Sequence, residues 1–232
     1  MEVAKLGKLM MLEWKKLKQK MVIGELIIYW GILMFLPIFF IKMISTDFGE
    51  SYSTIIQLML SIQMGFVLFG ASLINQVVID EYKNKTISLS FGYPISRKKL
   101  VTAKVLFISL FVFGCTIVSF FLTGITTYLL DQIFHIIDGQ PTIADLTTYF
   151  SKMIGHSFMI TLISLIPLYF FGVWKRATIP AVLCALFLMQ FQNFYYLLNI
   201  DLNLDMVNVG LCLLGAASVY LSIKLVDKVG DL

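Results

Sequence analysis

Asp80-Glu81-Tyr82-Lys83-Asn84-Lys85-Thr86, followed by Tyr93-Pro94-Ile95-Ser96-Arg97-Lys98-Lys99-Leu100, is the longest charged interruption in an otherwise apolar chain. Hydrocarbon does not solvate charges packed this densely. The segment therefore lies outside any bilayer, and the apolar runs on either side of it read as membrane spans. Of 232 residues, 59% are hydrophobic and 14% charged, with a mean hydropathy of +0.87. A soluble domain carries about a quarter charged residues. In water this chain would expose too much apolar surface, so its composition points to an integral membrane protein, and apolar runs of spanning length make the expected fold class all-α.

Working outward from the loop, six runs are long enough to cross a core of about 30 Å at about 1.5 Å per residue. They lie near residues 22–41, 55–79, 101–130, 150–173, 177–199 and 206–225. Pro37 and Pro167 fall inside spans and are expected to kink them, whereas Pro180 sits near a span start, where a missing N–H costs little. Ahead of the spans, Val3, Leu6, Met10, Trp14, Leu17 and Met21 recur every three or four residues between lysines. That pattern predicts a basic amphipathic helix over 1–21 lying in the membrane interface. After the turn signal Asp138-Gly139-Gln140-Pro141, residues 142–150 are expected to form a short interfacial helix before the fourth span.

The basic residues give the orientation. With the N-terminus inside, Lys5, Lys8, Lys15, Lys16, Lys18, Lys20, Lys83, Lys85, Arg97, Lys98, Lys99, Lys104, Lys175, Arg176, Lys224 and Lys228 face the cytoplasm. Only Lys42 and Lys152 fall outside. The expectation is one domain over 1–232: an interfacial helix at 1–21, a six-span bundle at 22–225 with a cytoplasmic loop at 80–100, and a cytoplasmic tail at 226–232. The start of the chain lacks the apolar core and cleavage site of a signal peptide.

Catalytic chemistry is nearly absent. Neither His135 nor His156 has metalloprotease spacing, and no phosphate-cradling G-x-x-x-x-G-K-[ST] run occurs. Gly70-Ala71-Ser72 reads as a packing surface rather than a nucleophile turn. Cys115, Cys184 and Cys212 all lie in apolar runs and read as inert small hydrophobes. Glu25 is read as an interfacial carboxylate near the lysine-rich helix.

Two polar features remain. Gln57, Ser61, Gly65, Ser72 and Gln76 share a stripe of the second span, with Asn75 beside it. Gln190 and Asn193 share a face of the fifth span among aromatic residues. Such groups face protein or a wet cavity rather than lipid, as helix–helix contacts or as the lining of a transport path. In the charged loop, Thr86-Ile87-Ser88-Leu89-Ser90-Phe91 can run as a short helix carrying apolar side chains into the cytoplasm. That suits docking to a soluble partner.

At these residues the chain resembles type-2 ABC exporter permeases. The run from Asp80 through Thr86, and the Tyr93-Pro94-Ile95-Ser96-Arg97 turn, are similar to the loop between that family's second and third spans. Glu13-Trp14-Lys15-Lys16-Leu17-Lys18 is similar to the family's N-terminal interfacial helix. The resemblance implies that the loop is a coupling helix docking into a separate ATPase, with Glu81, Tyr82, Thr86, Leu89, Phe91, Tyr93, Pro94 and Arg97 as contact residues. It implies that ATP and Mg bind the partner ATPase, with no cofactor in this chain, which is then not itself an enzyme. A second copy of the permease, in a homodimer, is implied as well.

The small size and short outer loops look most like bacterial permeases for antimicrobial or cytolytic peptides: lantibiotic-immunity, bacitracin-resistance and phenol-soluble-modulin export types. The expected function is therefore export of amphipathic or hydrophobic peptides across the bacterial cell membrane. Gln57, Ser61, Ser72, Gln76, Gln190 and Asn193 would line the path. A non-transporting membrane immunity or anchor protein, binding a partner without ATP, is the alternative.

Overall fold

The computed structural model describes residues 2–43, 51–84, 96–137, 141–197 and 204–229, with side chains described except at 2–5, 192–197, 204–205 and 227–229. Helices account for nearly all of it, and no strand occurs among the described residues. In order they are α1 (Glu2–Lys16), α2 (Gln19–Met43), α3 (Tyr52–Gln63), α4 (Phe66–Ile74), the π-helix π1 (Asn75–Ile79) and α5 (Asp80–Lys83). There follow α6 (Arg97–Phe134), α7 (Ile143–Ser164), the π-helix π2 (Leu168–Trp174), α8 (Thr178–Leu197) and α9 (Leu204–Val229).

Five stretches among the described residues are long and apolar enough to cross a membrane: Gln19–Met43, Tyr52–Lys83, Arg97–Phe134, Ile143–Trp174 and Met206–Val226. A shorter apolar stretch covers Thr178–Phe191. Ile28, Ile32, Phe35 and Phe39 of α2, and Leu183 and Phe187 of α8, are exposed. An apolar surface of this extent has hydrocarbon as its natural solvent.

The chain forms two compact units. One comprises Met1–Lys20, Val67–Val112 and Met159–Leu232 and is called the first unit below. The second comprises Met21–Phe66 and Phe113–Phe158. Phe69, Leu73, Ile108, Ile160 and Ala185 are fully buried in the first, as are Ile55, Phe66 and Phe120 in the second.

Several boundaries differ from those read in the sequence. The amphipathic helix stops at Lys16 rather than near residue 21. Its last turn is closed by the Gln19 side-chain amide, which donates to the Trp14 carbonyl at 3.4 Å, and α2 starts at Gln19 itself. Residues 142–150 are not a separate helix. Thr142 and Asp145 cap each other, Asp145 Oδ2 accepting from Thr142 N–H and Oγ1 and Thr142 Oγ1 accepting from Asp145 N–H. This capping box starts α7, which then runs unbroken to Ser164.

The second span is not one helix. Met64 N–H bonds Ser61 O at 3.2 Å and Gly65 N–H bonds Ile62 O at 3.1 Å, a tightened turn separating α3 from α4. Pro167 precedes π2, as its sequence signal suggested. There α9 repairs the ladder: Ser218 Oγ accepts from Tyr169 N–H and donates to Ile166 O, both at 3.0 Å.

Candidate functional site

The charged loop springs from the first unit, and the helices on either side of it meet there in a buried ionic nest. Helix α1 contributes to it through an inner stripe of half-buried Leu6, Met10 and Trp14 that also carries Glu13, 5% exposed. Trp14 packs on Phe111 and Phe107 of α6 at centroid distances of 5.3 and 6.3 Å. That docking turns Glu13 inward. Lys104, four residues after Leu100 on the buried face of α6, is 2% exposed.

The Lys104 ammonium has three acceptors, matching its three donors. It lies 2.8 Å from Glu13 Oε2, 2.8 Å from Glu81 Oε1 and 2.7 Å from the Val77 carbonyl of π1. Lys16 completes the nest from its rim, 3.1 Å from Glu13 Oε1 and 3.4 Å from Glu81 Oε1. Burial disfavours the Lys16 ammonium, but the Glu13 and Glu81 carboxylates outweigh that and raise its pKa above the ordinary lysine value. Two carboxylates thus face two ammonium groups.

The carbonyl of Val77 belongs to a π-turn, and the wide turns recur beside the second basic loop. π1 ends at Ile79, immediately before Asp80 and Glu81; π2 ends at Trp174, immediately before Lys175 and Arg176. The two pack together, since a Cβ at Gly172 of π2 would lie 3.4 Å from Ile74 and 3.8 Å from Val78. Beyond π2 the chain passes through a left-handed backbone at Arg176, φ 52°, an uncommon conformation for a residue bearing Cβ. It sets the guanidinium over the Tyr82 ring, 4.3 Å from the centroid. Beside this stack, Thr178 Oγ1 donates to Asn75 Oδ1 at 2.7 Å and accepts from Lys83 Nζ at 2.5 Å.

Of the residues expected at the partner-facing loop, Glu81 and Tyr82 therefore lie within this network. Arg97 opens α6 and is half-buried. Thr86, Leu89, Phe91, Tyr93 and Pro94 lie outside the described residues. Of the expected path residues, Ser72 and Gln76 are half-buried in the first unit and joined by a 3.3 Å bond from Gln76 Nε2. Gln57 and Ser61 are exposed on α3 in the second unit, and Gln190 is exposed on α8. Asn193 lies in α8, with its side chain outside the described residues.

The buried amide of the second span is Gln63, missed in the sequence because it falls off the Gln57–Ser61 stripe. It donates to Thr123 Oγ1 and accepts from Ser119 Oγ, both at 2.9 Å, tying α3 to α6 within the second unit. Glu13 and Lys104 were missed as well, although a carboxylate on the apolar stripe of α1 was a usable signal. What the nest can do is mechanical: it holds charge fixed at the root of a loop. Among the described residues no three His, Cys, Asp or Glu side chains are grouped to hold a metal ion.

A family model described as ABC-2 family transporter protein matches residues 9–192, well over half of the chain. The uncharacterized protein YcbO of Bacillus subtilis (strain 168) is 41% identical over 118 residues, covering 51% of this chain and 51% of that protein. The match thus spans about half the length of that relative. No solved structure matches.

Proposed function

Because the chain belongs to the ABC-2 family of transporter proteins, we propose that it is the membrane subunit of an ATP-driven exporter whose ATPase is a separate polypeptide docking on the loop at 80–100. Glu81, Tyr82 and Arg97 root that loop, and Thr86, Leu89, Phe91, Tyr93 and Pro94 supply its contact surface. The observation that carries the reading is the buried Lys104 ammonium, bonded at once to Glu13 of α1, Glu81 of α5 and Val77 of π1. A push on the loop root would move α1, π1 and α6 together, because separating them strands a charge in a low-dielectric interior.

The cargo in this reading is an amphipathic or hydrophobic peptide, moved outward across the cell membrane with Gln57, Ser61, Ser72, Gln76, Gln190 and Asn193 along its path. A second copy of the chain completes the transporter. Both termini lie in the cytoplasm, on the side of the ATPase.

The test is reconstitution of the chain with its ATPase in proteoliposomes, scored for ATP hydrolysis and peptide export together. Glu81→Gln preserves shape and removes the charge that Lys104 and Lys16 hold. Hydrolysis should stay within about twofold of the native rate, while export per ATP falls about tenfold, a coupling loss of about 1.4 kcal/mol. Normal export by Glu81→Gln would remove the coupling role from the nest. A chain that captures no ATPase with its loop intact would instead be a membrane anchor or immunity protein.

A further inference from the structure

Within the second unit, α3, α6 and the start of α7 line a half-open cavity of about 530 Å³. That falls inside the range of about 300–1,000 Å³ typical of small-ligand sites. Its floor is Ile55, Ile56 and Met59, and its rim includes Phe121, Ile125 and Phe150. The rim residues are exposed and apolar, so the cavity opens sideways onto a surface that hydrocarbon covers. It runs from Tyr52 and Asp145, at helix starts, about 10 Å down α3 to Met59, at 1.5 Å per residue.

One lining group is out of place in such a cavity. Thr127 is 2% exposed, and its hydroxyl has no hydrogen-bond partner among the described residues. Neighbouring Thr126 bonds back to the Leu122 carbonyl at 2.7 Å, and Thr123 is engaged by Gln63. Two other hydroxyls of the lining are already engaged. Tyr149 donates to Phe120 O at 2.6 Å and Tyr52 donates to Asp131 at 2.6 Å. A buried hydroxyl without a partner is costly, and a turn of the Thr127 side chain toward the cavity would let it meet one acceptor there.

We propose that this cavity binds one acyl chain of a membrane glycerolipid, with the ester carbonyl accepting from Thr127 and an amine headgroup beside Asp145. A single unpaired donor suits a single carbonyl. A peptide backbone would bring a row of donors and acceptors that these walls cannot meet. The Asp145 carboxylate lines the mouth and attracts the ammonium of a zwitterionic headgroup, a group that a phosphoglycerol headgroup lacks. The lipid would thus be a resident ligand of the second unit, distinct from any cargo.

Native mass spectrometry of the full chain, released from nanodiscs of equal phosphatidylethanolamine and phosphatidylglycerol, tests this. The native chain should keep one phosphatidylethanolamine. Thr127→Val should lower its retention about threefold to tenfold, the range of one net hydrogen bond. Ile125→Trp, filling the exposed mouth, should abolish retention, and Asp145→Asn should remove the headgroup preference. Should a variant fold poorly, a diazirine-bearing acyl chain in the native nanodisc must label residues 52–59, 121–129 or 145–150. Equal retention by native, Thr127→Val and Ile125→Trp chains overturns the proposal. So does labelling confined elsewhere, or crosslinking of this face to a second copy of the chain.

Discussion

A lysine buried in a membrane protein is stable only while its neighbours hold it, and Lys104 is held by two carboxylates and a carbonyl. Removing one partner of a buried ion pair costs about 3–5 kcal/mol, because the other charge is left without compensation. Lys104→Met should therefore lower the unfolding free energy in detergent by about that amount. The triple variant Glu13→Gln, Glu81→Gln, Lys104→Met should recover most of the loss, since apolar or neutral replacements of a whole buried pair are often tolerated. Thermal unfolding of the three proteins checks this, and a triple variant no better than Lys104→Met alone would contradict it. In the sequence Lys104 reads as one more inside-facing cation, and Glu13 as one charge in a charged helix. Charge counting assigns a side of the membrane but not a partner. The pairing requires α1 to dock, and that docking depends on Trp14 meeting Phe111.

At the scale of the helix, the sequence showed where spans lie better than how they are wound. Five of the six apolar runs fall within the five stretches long and apolar enough to cross a membrane among the described residues, and Pro167 foretold the break before π2. The tightened turn at Met64–Gly65 and the wide turns π1 and π2 were not legible, because a one-residue change of winding leaves hydropathy unaltered while rotating everything beyond it. The stripe from Gln57 to Gln76 assumed one unbroken helical period, and that assumption failed at Gly65. Close helix packing carries a sharper test. A Cβ on Gly215 of α9 would collide with the Leu162 carbonyl of α7, where only backbone could yield. Gly215→Ala should destabilise the protein by about 1–3 kcal/mol, the cost of overpacking. Gly210, with nothing within 4 Å of its Cβ position, is the control on the same helix. Gly210→Ala should be neutral or stabilising by up to about 1 kcal/mol from helix propensity. Unfolding midpoints of the two variants decide the matter, and similar midpoints would mean that α7 and α9 do not pack this closely.

For the whole molecule, the number of crossings decides which side each loop faces. Five stretches qualify as spans on length and composition, and α8 is the marginal one, with apolar residues described only over Thr178–Phe191. The charges supply the missing argument. If α8 did not cross, α9 would run outward and place Lys224 and Lys228 on the side that otherwise holds only Lys42 and Lys152. If it crosses, sixteen of the eighteen basic residues lie on one side. The 20 residues of α8 rise about 30 Å, enough for the hydrocarbon core. We therefore expect six crossings. A green fluorescent protein fused after Leu232 should fluoresce, and alkaline phosphatase fused after Leu202, between α8 and α9, should be active. An active phosphatase fused after Leu232 would show an odd number of crossings. It would also put the basic end of α9 on the face opposite the loop at 80–100, where an ATPase docked on that loop could not reach it.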